Sequence, residues 1–211
     1  MSSDGIQSHP LPGSTRREAL LESAAVARIF SRVTTPRLVL RRLRIEDGQA
    51  MFAVHGDPAT NLYNPAGPHP DLGTSEEMLR SCLHHWEVYG FGYWAVTLLQ
   101  EGNIIGFGGV EHRVWREREV LNLYYRFTPS AWGQGYASEL ARTAVSLARA
   151  HLPPWPVIAR VRPGNIASIR TAERAGLVRR PDLDTEHLVL ALGWPSGDDE
   201  LNSRQEKRKW S

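Results

Sequence analysis

Leu121-Asn122-Leu123-Tyr124-Tyr125-Arg126-Phe127-Thr128-Pro129-Ser130-Ala131-Trp132-Gly133-Gln134-Gly135-Tyr136-Ala137-Ser138-Glu139-Leu140 is the stretch that decides the fold. Val120 to Phe127 reads as a strand and Gly135 to His151 as a helix. A strand therefore runs into a Gly-rich turn, and the turn opens a helix. Glycines lack Cβ atoms, so main chain can come close to a ligand there. The first N–H groups of a helix have no intrahelical acceptor, and the helix dipole adds positive potential at that end. A pyrophosphate suits such a nest. A plain strand–helix connection, with glycine for tightness, fits the same residues. A nucleoside triphosphate loop does not, because no Gly-Lys-Ser/Thr ending follows. A dinucleotide fingerprint requires a third glycine near Ser138 and a later strand ending in an acid. Ser138 and the break at Pro153-Pro154-Trp155-Pro156 argue against it.

Working outward, Val157 to Val161 is a short apolar strand. Asn165 to Ala175 is a helix stopped by Gly176. Leu188 to Leu192 is a last strand, and the chain beyond Pro195 is polar. A helix joins the strands at Val120 and Val157, so these two are expected to lie parallel. On the other side, Tyr93–Leu99, Ile104–His112 and Val120–Phe127 form an antiparallel meander, with Glu101-Gly102-Asn103 as its first turn. Arg37 to Arg44 alternates leucines with arginines and predicts an earlier strand. Glu46 to His55 predicts a helix ended by Gly56-Asp57-Pro58. Asn64 to Gly73 is loop, and Thr74 to Tyr89 a second helix stopped at Gly90. Thr15-Arg16-Arg17-Glu18 reads as a capping box opening a further helix through Leu21, Ala25 and Ile29. The expected organisation is an extension at 1–34, partly disordered, a domain at 35–194 and a polar tail at 195–211. The class is α/β in the α+β sense, with helices packed on a mixed sheet.

The 211 residues are 41% hydrophobic, enough for one sizeable core. A formal net charge of +2 gives no sign of a nucleic-acid binder. Cys82 is the sole cysteine, which excludes a disulfide framework and a thiolate metal site. No apolar run has the length of a membrane span, and no secretory signal opens the chain. A cytoplasmic protein without membrane or nucleic-acid partners is the expectation.

The segment around Gly135 resembles motif A of the GCN5-related N-acetyltransferases, Gln/Arg-x-x-Gly-x-Gly/Ala. Gly135 and Ala137 take its last two places, while Trp132 stands where Gln or Arg is usual. Trp132-Gly133-Gln134-Gly135-Tyr136-Ala137-Ser138-Glu139 is similar to the branch of ribosomal-protein alanine N-acetyltransferases, the Rim type. Asn165 to Leu177 resembles motif B of that branch, Thr35 to Arg41 its opening, and Gly92 to Val96 with Ile105-Gly106 its middle. The likeness spans roughly Thr35 to Trp194, with four landmarks in order.

The resemblance implies a mixed, mostly antiparallel twisted sheet whose central parallel pair splays to admit acetyl-CoA (or CoA). It places the pyrophosphate on the amides of Trp132, Gly133, Gln134, Gly135, Tyr136 and Ala137, beside Ser138. The pantetheine arm lies against Phe127 and Thr128, and Asn165 and Ser168 reach it. Asn165 as a helix cap and Ser168 as a first-turn residue are readings that stand beside these. Arg126, Arg160, Arg162 and Arg170 rank below the amides as phosphate partners. The implied reaction is attack of an amine, on a small molecule or a protein N-terminus, on the thioester. The branch usually carries Glu where this chain has Asn122, and Asn cannot take a proton. Glu111 or His112 is the substitute base, and Tyr124 and Ser168 are the candidate acids for the thiolate. The acceptor pocket is expected between the first two helices of the domain and the loop Asn61–Pro70, with Trp86, Tyr89, Phe91, Trp94 and Trp115 as wall or core. Homodimers are common in the branch, so a homodimer is among the implications. A non-catalytic acyl-CoA-binding module is the alternative that Asn122 leaves open.

Overall fold

The structure is a computed structural model and describes residues 24–195. The expected capping box at Thr15–Glu18 lies outside them. The described part of the first helix, α1, is residues 24–30. It leads into β1 (Arg32–Thr34) and β2 (Leu38–Arg42). Helices α2 (Gly48–His55) and α3 (Leu72–Tyr89) follow, then β3 (Tyr93–Leu98), β4 (Ile104–Trp115) and β5 (Arg118–Phe127). The chain closes with α4 (Tyr136–His151), β6 (Val157–Val161), α5 (Ile166–Arg174), β7 (Val178–Arg179) and β8 (Leu188–Leu192).

Eight strands make one sheet in the order β1-β2-β3-β4-β5-β6-β8-β7. All neighbours are antiparallel except β5 and β6. That parallel contact is the expected one, but it is short. Leu121 pairs with Val157 and Asn122 with Ile158, and the register then stops. Beyond these pairs β6 remains zipped to β8 along its whole length, from Val157↔Leu192 to Val161↔Leu188. β5 likewise stays paired with β4 to Phe127. The sheet therefore opens as a V between the C-terminal halves of β5 and β6.

Strand alternation decides which residues face which layer. Leu121, Leu123 and Phe127 of β5, with Val157, Ala159 and Val161 of β6, pack against Leu140, Ala141, Ala144 and Val145 of α4 and Ala172 of α5. On the opposite face Tyr93, Ala95, Phe107 and Tyr124 meet Met51 and Val54 of α2 and Leu79 and Cys82 of α3. Ile158 and Ala191 on that same face meet Val120, Trp115 and Trp194 instead of a helix. Trp86, Trp94 and Phe91 are core residues, 1%, 0% and 2% exposed. Each such side chain contributes on the order of 1.5–3 kcal/mol through burial.

α1 and β1 belong to this assembly. Phe30 is fully buried and stacks on Trp94 at 5.8 Å between ring centroids. The Trp94 indole N–H donates to Phe30 O (2.6 Å). The sheet thus begins at Arg32, ahead of the expected domain start. Among the described residues no helix is long and apolar enough to cross a membrane.

Candidate functional site

The turn between β5 and α4 has the shape its glycines predict. Gly133 and Gly135 hold φ of 75° and 78°, the left-handed region that a side chain disfavours. Trp132 N–H closes on Pro129 O (3.1 Å) and Glu139 N–H on Gly135 O (3.1 Å). Between them, no carbonyl of the described residues accepts from the amides of Gly133 to Ser138. Gln134 and both glycines are exposed, and the buried Ser138 lies in the first helical turn. A row of unpaired donors at a helix start fits a diphosphate.

Two distant sequence landmarks meet at this turn. Glu139 of α4 is buried, and its Oε1 accepts from Thr35 Oγ1 (2.6 Å) and Arg37 N (3.0 Å). Its Oε2 accepts from Arg37 Nε (2.7 Å). Arg37 Nη1 also donates to Gln134 O (2.7 Å), and its guanidinium lies 4.8 Å from the Tyr136 ring centre. Burial pushes the Glu139 pKa up, but the hydrogen bonds from Thr35 and Arg37 outweigh it and leave it below its ordinary value. The start of β2 therefore lashes the turn in place. Sequence reasoning missed this role for Thr35, Arg37 and Glu139, although it used all three as landmarks.

An open cleft of about 160 Å³ occupies the V. Its walls include Tyr63, Tyr124, Tyr125, Arg126, Asn165 and Ser168. Tyr63, which sequence reasoning passed over, reaches from the loop after α2 to the turn at Gly164, closing one side. Asn165 is the N-cap of α5, its Oδ1 accepting from Ser168 N (3.1 Å). Tyr125 O–H donates to Ser168 O (2.7 Å) and its oxygen lies 3.0 Å from Ser168 Oγ. Tyr125 has one proton, so in that contact Ser168 is the donor.

Of the two residues expected along a pantetheine arm, Thr128 turns its amide to β4, donating to Ile105 O (2.9 Å). Phe127 O faces the other edge and accepts from the Trp132 indole (2.9 Å). Polar groups alternate from edge to edge along a strand, so Tyr125 joins Phe127 in presenting main chain to the cleft. Thr128 does so less than its position suggested.

The wall on the α2 side is built from side chains. His55 Nδ1 bonds Met51 O (3.0 Å), and its Nε2 lies 2.7 Å from the Tyr124 hydroxyl. A carbonyl only accepts, so Nδ1 carries the proton and Tyr124 donates to Nε2. Burial, with Arg126 nearby, lowers the His55 pKa to about 3 and keeps it neutral. Burial also raises Tyr124 to about 12. Arg126 donates to Asn61 Oδ1, and Asn61 Nδ2 to His55 O (2.8 Å). His69 stacks on His55 at 5.1 Å.

Glu111 and Asn122 are cross-strand partners. Asn122 Nδ2 donates to the Tyr93 hydroxyl (2.7 Å). Glu111 is 1% exposed, and burial raises its pKa to about 7 despite the Arg113 guanidinium on its Oε2. Its Oε1 has no hydrogen-bond partner among the described residues. Glu111 does not line the open cleft; it sits behind it, under α3 beside Cys82. His112 is buried elsewhere, between the Tyr89 and Trp155 rings. The structure thus gathers Tyr124, Asn165 and Ser168 around one cleft, sets the amide row at the end of β5, and holds Glu111 one layer back.

The profile of the acetyltransferase (GNAT) domain matches residues 37–178. The uncharacterised protein YkkB of Bacillus subtilis is 26% identical over 148 residues, 70% of this chain and 85% of that one. An acetyltransferase of Agrobacterium tumefaciens is 28% identical with a TM-score of 0.65, over 76% of this chain and 93% of its own. RimL, a ribosomal L7/L12 α-N-protein acetyltransferase solved with coenzyme A, shares the fold at TM-score 0.58 and 14% identity, over 76% of this chain and 96% of its own. The splayed parallel pair, the amide row and the profile match agree, and this chain belongs to the GNAT acetyltransferase family.

Proposed function

We propose that the protein transfers an acetyl group from acetyl-CoA to an amine, on a small molecule or a protein N-terminus. The single observation that carries this is the row of unpaired amides from Gly133 to Ser138 at the mouth of the splayed strands. The coenzyme A in the RimL structure supports the choice of carrier.

Acetyl-CoA supplies an activated acyl carbon and a good leaving group. The amides of Gly133 to Ala137, with Ser138 beside them, hold the diphosphate; the Trp132 amide, expected to join them, is spent on Pro129 O. Tyr125, Phe127 and Asn165 guide the arm into the V, Thr128 having its amide on β4. The main-chain N–H of Tyr125 or Phe127, on the strand edge that faces the cleft, stabilises negative charge on the carbonyl oxygen. The amine nitrogen bonds to the acyl carbon as the carbon–sulfur bond breaks. Glu111 takes the amine proton through a water; its pKa of about 7 suits a general base at neutral pH. Ser168 Oγ–H and the Tyr124 hydroxyl are the groups next to the departing sulfur; Tyr124 donates to His55 and Ser168 to Tyr125, so either turns its proton from that partner to the thiolate.

The test is acetyl transfer from acetyl-CoA to a panel of amines, followed by mass spectrometry of the product. Turnover that Glu111→Gln lowers by about 10²–10⁴-fold and that Ser168→Ala lowers by a similar or smaller factor supports the roles given. Asn122, in the usual place of a base, favours a second reading, a module that binds acyl-CoA without turning it over. CoA binding with no acetylated product from any amine selects that reading.

A further inference from the structure

Strand alternation divides the arginines around the cleft from the phosphate turn. Phe127 and Leu123 face α4, so Arg126 faces the other way, with Tyr124 and the α2 loop. The contact of Arg126 with Asn61 places it there directly. Val157, Ala159 and Val161 face α4 and α5, so Arg160 shares the face of Ile158, where its guanidinium lies 6.0 Å from the Trp115 ring centre. Both arginines line the cleft, and both are on the acceptor side of the sheet, opposite the helix whose N-terminus would carry the diphosphate.

The cleft walls contain Arg126, Arg160, Arg162 and His187, and neither aspartate nor glutamate. Arg162 has Glu186 as a partner (3.2 Å), and that carboxylate is largely solvent-exposed. Arg126 has the neutral Asn61, and Arg160 an indole face. The field of these cations is felt locally: His187, besides burial, is lowered by Arg160 and Arg162, and His69 by burial and Arg126. A polyamine or lysine-rich acceptor would bring further cations into this space. An acceptor bearing its own anion near the amine would be held there, and its ammonium would be the only cation to neutralise.

We infer that the acceptor is an amine carrying a carboxylate or phosphate within a few bonds, and that Arg126 and Arg160 bind that anion. The inference rests on the acetyltransferase reading and narrows it to a substrate class. A guanidinium pairs bidentately with either anion, which makes the arginine side chain a selective device as well as a charge.

The experiment compares matched amines with the full chain and acetyl-CoA. β-Alanine is set against its amide, phosphoethanolamine against ethanolamine, and an Asp-led tripeptide amide against its Asn-led twin, with spermidine as the cationic arm. The anionic member of a pair is expected to show a kcat/KM at least about tenfold higher than its neutral twin, falling as salt rises. Which pair responds most tells a small-molecule acceptor from a peptide N-terminus. Arg160→Gln, at an exposed position, is expected to bring that ratio to within about threefold of unity through KM, and Arg126→Gln to do the same. CoA affinity, measured by calorimetry, is expected to stay within about twofold in both variants. A preference for neutral amines or spermidine overturns the inference. So does a variant that weakens CoA about tenfold and leaves acceptor preference unchanged, since the arginines would then serve the nucleotide. If no amine turns over, calorimetry of the anionic amines with the CoA-bound protein decides: no heat overturns it. Absence of CoA binding in the wild type instead removes the acetyltransferase reading itself.

Discussion

The turn that opens α4, at the end of β5, and the wall that α2 and α3 raise against β5 are made in opposite ways. The turn presents main chain. Its donors are amides, its shape is fixed by two glycines with positive φ, and one buried carboxylate ties it to β2. The wall presents side chains. His55, Asn61, Tyr124 and Arg126 satisfy one another across 71 residues of sequence, from position 55 to position 126. On the proposed reading, main chain holds the carrier and side chains select the acceptor. Disturbing the turn should therefore abolish carrier binding, and disturbing the wall should alter chemistry and pH response with the carrier still bound.

The largest effect is expected from Gly135→Val. A Cβ at φ of 78° is strained, and it would stand 3.5 Å from Arg37 Nη2. Calorimetry should show CoA affinity down by about 100-fold or more, with a stability loss of about 1–2 kcal/mol. Unchanged affinity would break the contrast.

Next comes Arg37→Ala. It leaves the buried Glu139 carboxylate with Thr35 as its remaining side-chain donor. Arg37 is half exposed, so the cost is discounted to about 1–3 kcal/mol in denaturant unfolding. KM for acetyl-CoA should rise about tenfold, with kcat less affected.

The wall is probed by pH. The folded pKa of Glu111, about 7, lies above its ordinary 4.5. The folded state thus binds the extra proton, and stability is lost as pH rises from 4.5 through 7. Glu111→Gln should stabilise by about 1–3 kcal/mol at pH 8 and by less than about 1 kcal/mol at pH 5. His55 and His85 act the other way. Burial lowers both to about 3, so stability is lost as pH falls below 6.5. Urea unfolding across pH 4 to 8 separates the two signs, and CoA affinity should be indifferent to Glu111→Gln.

The smallest effect is expected at the turn of the β4–β5 hairpin, neither of whose two residues lines the cleft. Arg116 and Glu117 hold φ of 50° and 59° in its two-residue turn. Glu117→Gly, which relieves the positive φ and keeps the Arg116 guanidinium on Leu183 O (3.1 Å), should add up to about 1 kcal/mol, read as a raised midpoint, with CoA affinity unaltered.

The same contrast explains what the sequence made legible. β6 and β8 have the expected bounds, because each is an apolar run framed by proline or polar residues. The turn was legible because glycine spacing is a local signal. β1 and β7, of three and two residues, carry no period and went unseen. The hairpin runs on to Trp115 and Arg118 past its expected ends, since its turn lacks the glycine that usually announces one. α3 starts at Leu72, two residues before its expected start at Thr74, because Asp71 caps it by accepting from Thr74 N (2.8 Å). His55 was read as the end of a helix. Its role emerges only where Tyr124 arrives from another strand, and no spacing in the sequence encodes that meeting. Glu111 was chosen for its charge and place; its burial behind the cleft follows from α3 covering β4, which requires the folded packing.

The most direct test of the amide row is a backbone ¹H–¹⁵N spectrum of the protein titrated with CoA. The largest shifts should fall on the amides of Gly133, Gly135, Tyr136, Ala137 and Ser138, with His55, Asn61 and Cys82 nearly still. Large shifts elsewhere, with those amides unmoved at saturation, would contradict it.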